Sequence, residues 1–137
     1  MVKKNTDTIA ARRRICVVED DEAVLDALSV QLARNGFDVR PFRTASEFLS
    51  AENPDRFDCL ILDLRLPVMS GLELIELLRA RAYSKPALLI WGHPETQLLP
   101  RIRRAGIQEV LAKPLAPDDL MAALNRAMDG TAPTLHP

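Results

Sequence analysis

Aromatic residues are scarce in this chain, at 4% of 137 residues, and Trp91 is the single tryptophan. A surface that stacks successive bases of a single strand needs more of them. Cysteine is almost missing as well. Cys16 and Cys59 lie in separate apolar runs, with no CxxC or Cys/His spacing that would suggest a zinc site or a redox pair. Their expected state is two reduced, buried thiols in a cytoplasmic protein. No apolar run approaches the length of a membrane span. The basic segment from Met1 to Arg14 has no apolar core after it that could serve as a signal peptide. The net charge is −1, so there is no electrostatic pull toward nucleic acid or a membrane. Glycine numbers five, and no glycine-rich phosphate loop follows the first apolar run. That argues against a nucleotide- or flavin-binding domain.

The rest is ordinary for a globular protein: 47% apolar and 27% charged. The length fits one domain with a proper core. Residues 1–12 and 130–137 read as tails, and residues 13–129 as the domain. Short apolar runs at 15–18, 59–62, 87–91 and 109–112 read as strands. Residues 37–40 alternate and precede Pro41, which suits an edge strand. Leu25, Leu28 and Leu32 share a helix face that Asn35-Gly36 ends. Thr44-x-x-Glu47 and Ser70-x-x-Glu73 are capping-box patterns. Pro117, Asp118 and Asp119 open a last helix, with Leu120, Leu124 and Met128 on one face and Gly130 after it. Pro100 falls inside the expected fourth helix. That helix should start late, near Pro100, or be distorted over 94–99. Five strands alternating with five helices predict an α/β fold, a parallel sheet covered on both faces.

In such sheets ligands bind outside the carboxyl ends of the strands. The first strand ends in Glu19-Asp20-Asp21-Glu22, the third in Asp63, the fourth in Trp91-Gly92-His93 and the fifth in Lys113-Pro114. Ionising Asp63 at the end of a buried strand is costly unless a cation or hydrogen bonds compensate. Several carboxylates at close range need counter-charge. Lys113 supplies one charge, and a hard divalent cation would supply more. A carboxylate nucleophile, a metal and a lysine make a phosphoryl-transfer site.

Val17-Val18-Glu19-Asp20, Asp63-Leu-Arg-Leu-Pro67-x-x-Ser-Gly71 and Lys113-Pro114 together resemble the receiver domain of two-component response regulators. The resemblance spans roughly residues 13–129. It implies a flavodoxin-like sheet of order 2-1-3-4-5 with helices on both faces. Asp63 would accept a phosphoryl group from a phosphohistidine of a sensor histidine kinase. Glu19, Asp20, Asp63 and the backbone carbonyl of Arg65 would hold Mg²⁺. Lys113 would pair with Asp63 and then with a phosphoryl oxygen, across a cis bond to Pro114. The protein would be a stand-alone signalling protein in the cytoplasm. It would catalyse at most its own phosphorylation and dephosphorylation and dock to a downstream protein or phosphotransfer partner. A homodimer through the fourth helix, fifth strand and fifth helix is a further expectation, with Arg101, Arg103 and Arg104 as a basic cluster. Leu98, Leu99 and Ile102 would add apolar contact. Direct contact with nucleic acid or membrane is not expected.

Two positions depart from the family. Trp91 stands where a Ser or Thr usually binds the phosphoryl group, and Val110 where a Tyr or Phe usually moves with it. Trp91 could block the site or simply fill the core. These departures leave open a pseudo-receiver that signals without phosphorylation, and the chain could also be the receiver part of a regulator with a DNA-binding output domain. Bland readings remain too: acids 19–22 as a solvated helix start, Asp63 and Lys113 as a structural ion pair, and His93 as a solvated side chain. An aspartyl phosphatase is disfavoured, because Arg65 holds the position where those enzymes need a second acid.

Overall fold

The computed structural model describes residues 12–51 and 53–130. The expected tails therefore lie, apart from Arg12 and Gly130, outside the described residues. Five strands, β1 (Arg14–Val18), β2 (Asp38–Phe42), β3 (Cys59–Asp63), β4 (Ala87–Trp91) and β5 (Glu109–Ala112), alternate with five helices. The helices are α1 (Glu22–Arg34), α2 (Ala45–Ala51), α3 (Gly71–Ala80), α4 (Leu99–Arg104) and α5 (Pro117–Asp129). Every strand pair is parallel, in the order β2-β1-β3-β4-β5.

Alternation along the strands builds two cores. Cys16, Val18, Leu60, Leu62, Leu89 and Trp91 face the side covered by α2, α3 and α4. Ile15, Val17, Cys59, Ile61, Leu88 and Ile90 face α1 and α5, where Leu25, Leu28, Leu32, Leu120 and Leu124 pack. β3 is buried along its whole length, as a central parallel strand must be.

The helix ends follow their sequence signals. Asp21 caps α1, its Oδ1 accepting from Val24 N–H at 3.2 Å, and Gly36 follows at φ 90°. Ser70 and Glu73 form a full reciprocal box at the start of α3. At α2 only half of the box forms as expected: Thr44 Oγ1 accepts from Glu47 N–H, but the Glu47 carboxylate turns back to Arg43 N–H at 3.0 Å. β2 is an edge strand and runs on through Pro41 to Phe42, two residues past the expected end. The fourth helix does start late. A 3₁₀ turn over Thr96–Leu98 precedes six residues of α-helix with Pro100 in the first turn, where its missing N–H does no harm.

One expectation for the α4 face needs correction. Leu99 and Ile102 are buried in the core, and only Leu98 remains partly exposed beside it. Within the basic cluster, Arg101 makes a forked pair with Glu76 of α3, at 2.7 and 2.6 Å. Arg103 and Arg104 are exposed.

Arg79 of α3 fastens the end of the molecule opposite the strand carboxyl ends. Its half-buried guanidinium donates to the carbonyls of Tyr83, Lys85 and Ala105 at 2.7 to 2.8 Å. Burial holds its pKa below the ordinary value.

Candidate functional site

Sheet order reverses between β1 and β3, which puts the carboxyl ends of these two strands at the crevice that open α/β sheets use for ligands. β1 runs out into Glu19 and Asp20, and β3 ends on Asp63. Carboxylate oxygens of Glu19, Asp20 and Asp63 all lie within 4.8 Å of one another. Glu19 and Asp63 are buried, whereas Asp20 is exposed.

Lys113, one residue beyond β5, reaches both buried acids: Nζ is 2.8 Å from Asp63 Oδ2 and 2.7 Å from Glu19 Oε1. The Lys113–Pro114 bond is cis. Burial works against the Lys113 charge, but the bonds to Asp63 and Glu19 outweigh it and hold its pKa above the ordinary lysine value. Burial pushes Glu19 up to about 7, and the adjoining Asp63 carboxyl adds to the rise, against the opposing pull of Lys113. Beyond that ion pair, Glu19 Oε1 has no hydrogen-bond partner. Glu19 Oε2 accepts from Asp21 N–H at 3.2 Å, and Asp63 Oδ1 accepts from Arg65 N–H at 3.0 Å.

With all three carboxylates ionised, the single ammonium would leave two negative charges uncompensated. A hard dication with oxygen ligands matches that deficit, and the donor set is all oxygen. The residues present therefore fit Mg²⁺.

Gly71 brings α3 up against this site. A Cβ built there would lie 2.3 Å from the backbone oxygen of Asp63. Gly71 N–H donates to Leu64 carbonyl at 3.2 Å. Between them, Val68 sits at φ 69° with Met69 N–H donating to Pro67 carbonyl at 2.7 Å, a tight turn unusual for a β-branched residue.

The structure thus brings Glu19, Asp20, Asp63, Lys113 and the backbone N–H of Arg65 together. Trp91 is 3% exposed and belongs to the core beneath α3 and α4, with Val110 packed against the same cluster. Sequence reasoning missed Glu95, which makes a forked pair with the Arg65 guanidinium. Nothing local in the sequence marks a pair thirty residues apart.

Residues 15–125 match the family described as the response regulator receiver domain. The response regulator protein TodT of Pseudomonas putida is 35% identical over 83% of this chain and 50% of its own length. The transcriptional regulatory protein FixJ of Bradyrhizobium diazoefficiens is 31% identical over 91% of this chain and 61% of its own. The chain spans about half to three-fifths of these relatives. Among solved structures, the non-phosphorylated HemR receiver domain from Leptospira biflexa superposes with a TM-score of 0.80 at 30% identity, covering 90% of this chain and 100% of that one. Among the described residues, no helix is long and apolar enough to cross a membrane.

Proposed function

The chain belongs to the response regulator receiver family, and on that footing we propose that Asp63 accepts a phosphoryl group from the phosphohistidine of a sensor histidine kinase. The observation that carries this reading is the buried carboxylate of Asp63, shared between Lys113 and the Arg65 N–H, with two further acids beside it. An Asp63 oxygen attacks phosphorus in line with the leaving imidazole. The O–P bond forms as the P–N bond breaks. The electron pair stays on the imidazole nitrogen, which takes a proton from solvent. Lys113 shifts from the carboxylate to a phosphoryl oxygen and stabilises the charge that leaves with the transfer.

Asp20, Glu19, Asp63 and the carbonyl of Arg65 would hold Mg²⁺. When bound, the ion neutralises charge on the phosphoryl oxygens. Glu19, whose pKa burial raises to about 7, would have to be ionised in that complex. The reaction consumes no substrate beyond the phosphoryl group, so the protein is a signalling acceptor rather than an enzyme. The cytoplasm is its place of action, where buried Cys16 and Cys59 stay reduced.

A groove of about 470 Å³ opens beside the site, lined by Ala23, Val24, Ala27 and Leu28 of α1 with Lys113 and Leu115. Lys113 belongs to both groove and acid pocket. The histidine-bearing helix of the kinase is the occupant this continuity supports. The face made by α4, β5 and α5 offers exposed Arg103 and Arg104 to the exposed Asp118 and Asp119 of a second copy.

The direct test is treatment with acetyl phosphate in Mg²⁺, read by intact mass. The expected result is one phosphoryl adduct in the wild type and none in Asp63→Asn. An adduct that survives in Asp63→Asn would sink the assignment.

A further inference from the structure

Arg65 and Glu95 stand on the two loops that flank Asp63, those following β3 and β4. Arg65 already touches the acid pocket, its N–H donating to Asp63 Oδ1 at 3.0 Å. Its guanidinium forks onto Glu95, with Nε donating to Oε2 at 2.9 Å and Nη2 to Oε1. Glu95 is the residue from which the Thr96–Leu98 turn departs, and its carbonyl accepts from Leu98 N–H at 2.8 Å. α4 follows that turn directly. The two partners differ in exposure: the Arg65 side chain is 73% exposed and that of Glu95 only 14%.

A phosphoryl group brings up to two negative charges and three acceptor oxygens. The planar guanidinium binds such an anion in the same forked manner as a carboxylate, and more strongly as charge rises. A dianion on Asp63 would arise two residues from Arg65. Glu95 would then be left largely desolvated without its cation, which is costly. Moving out to water, together with the start of α4, relieves that cost.

Resting on Asp63 as the phosphoacceptor, we propose that Arg65 is a second phosphoryl-binding side chain and Glu95 its resting partner. Phosphorylation exchanges the pair and frees the segment that leads into α4. This route from Asp63 to α4 requires neither a hydroxyl at position 91 nor an aromatic ring at position 110.

The experiment is a beryllofluoride titration in Mg²⁺, read by Trp91 fluorescence and by amide hydrogen exchange over residues 95–104. Competition gives the two single variants opposite signs. Arg65→Ala weakens beryllofluoride binding about fivefold or more. Glu95→Gln releases the guanidinium and tightens it about two- to fivefold. Exchange at residues 95–98 rises in the wild type on addition of beryllofluoride, and in Glu95→Gln it is already raised beforehand. A pair that only braces the loops would move both variants in the same direction, and that result overturns the proposal. So does a wild type that keeps residues 95–98 protected at saturating beryllofluoride. A wild type that takes up no phosphoryl group from acetyl phosphate overturns the phosphoacceptor reading along with this one.

Discussion

The backbone N–H of Lys113 donates to the carbonyl oxygen of Trp91 at 2.9 Å. The residue that pairs with Asp63 is therefore hung from the last residue of β4. Main chain and side chain of Trp91 do different jobs. The carbonyl helps place the lysine, and the indole fills the core beneath α3 and α4.

Replacing Trp91 with Thr accordingly separates the two jobs. The variant keeps its phosphoryl acceptance, because the carbonyl remains. It loses about 3–5 kcal/mol of stability, the scale for removing a large buried side chain. Urea unfolding beside intact mass after acetyl phosphate checks both halves. A wild type that refuses phosphate while Trp91→Thr accepts it would make the indole a block.

Lys113→Ala leaves Glu19 and Asp63 with no counter-charge between them. Phosphoryl acceptance slows about a hundredfold, measured as the rate of adduct formation at fixed acetyl phosphate. A rate within twofold of wild type would reduce the lysine to a structural partner.

Glu19 gives the acid pocket a pH dependence. Its folded pKa is raised from 4.5 to about 7, mainly by burial. The folded state therefore binds more protons than the unfolded chain between those values. Without metal, stability from this group is fully present below about pH 4.5 and is lost as pH rises through 7. Mg²⁺ needs the ionised form, so its affinity runs the opposite way and weakens as pH falls below 7. Calorimetric titration of Mg²⁺ from pH 5.5 to 8 checks this, and a flat profile in the wild type would refute it. Glu19→Gln flattens the profile.

Gly71→Ala forces a methyl group onto the Asp63 carbonyl, where the gap is 2.3 Å. The expected cost is about 1–3 kcal/mol, together with a displaced β3–α3 loop and slower phosphoryl acceptance. Thermal unfolding and adduct formation should fall together. An unchanged protein would mean that α3 can retreat freely.

An arginine at Ala27 places charge and bulk in the groove beside Lys113. Transfer from the cognate kinase drops at least tenfold while labelling by acetyl phosphate holds. Equal losses from both donors would mean the groove is no docking site.

Much of this arrangement is legible in the chain itself. Ser70 and Glu73 announce α3, the all-apolar run into Asp63 announces a buried strand, and Pro100 announces the late start of α4. These signals are local, because caps, periodicity and proline sterics act within a few residues. The acids and Lys113 could be gathered only once parallel strands implied a common end. The Arg65–Glu95 and Arg101–Glu76 pairs were out of reach, since they depend on how loops and helices meet in space. The fate of the Leu99 and Ile102 side chains was equally hidden. Which way a six-residue helix turns its apolar residues depends on how it packs on the sheet, and these two residues face inward.

Arg79 holds three carbonyls from two separate connections at the far end of the sheet. Its grip makes that end an anchored base. Both connections therefore depend on a single side chain, and removing that one guanidinium would take a hydrogen bond from all three carbonyls at once.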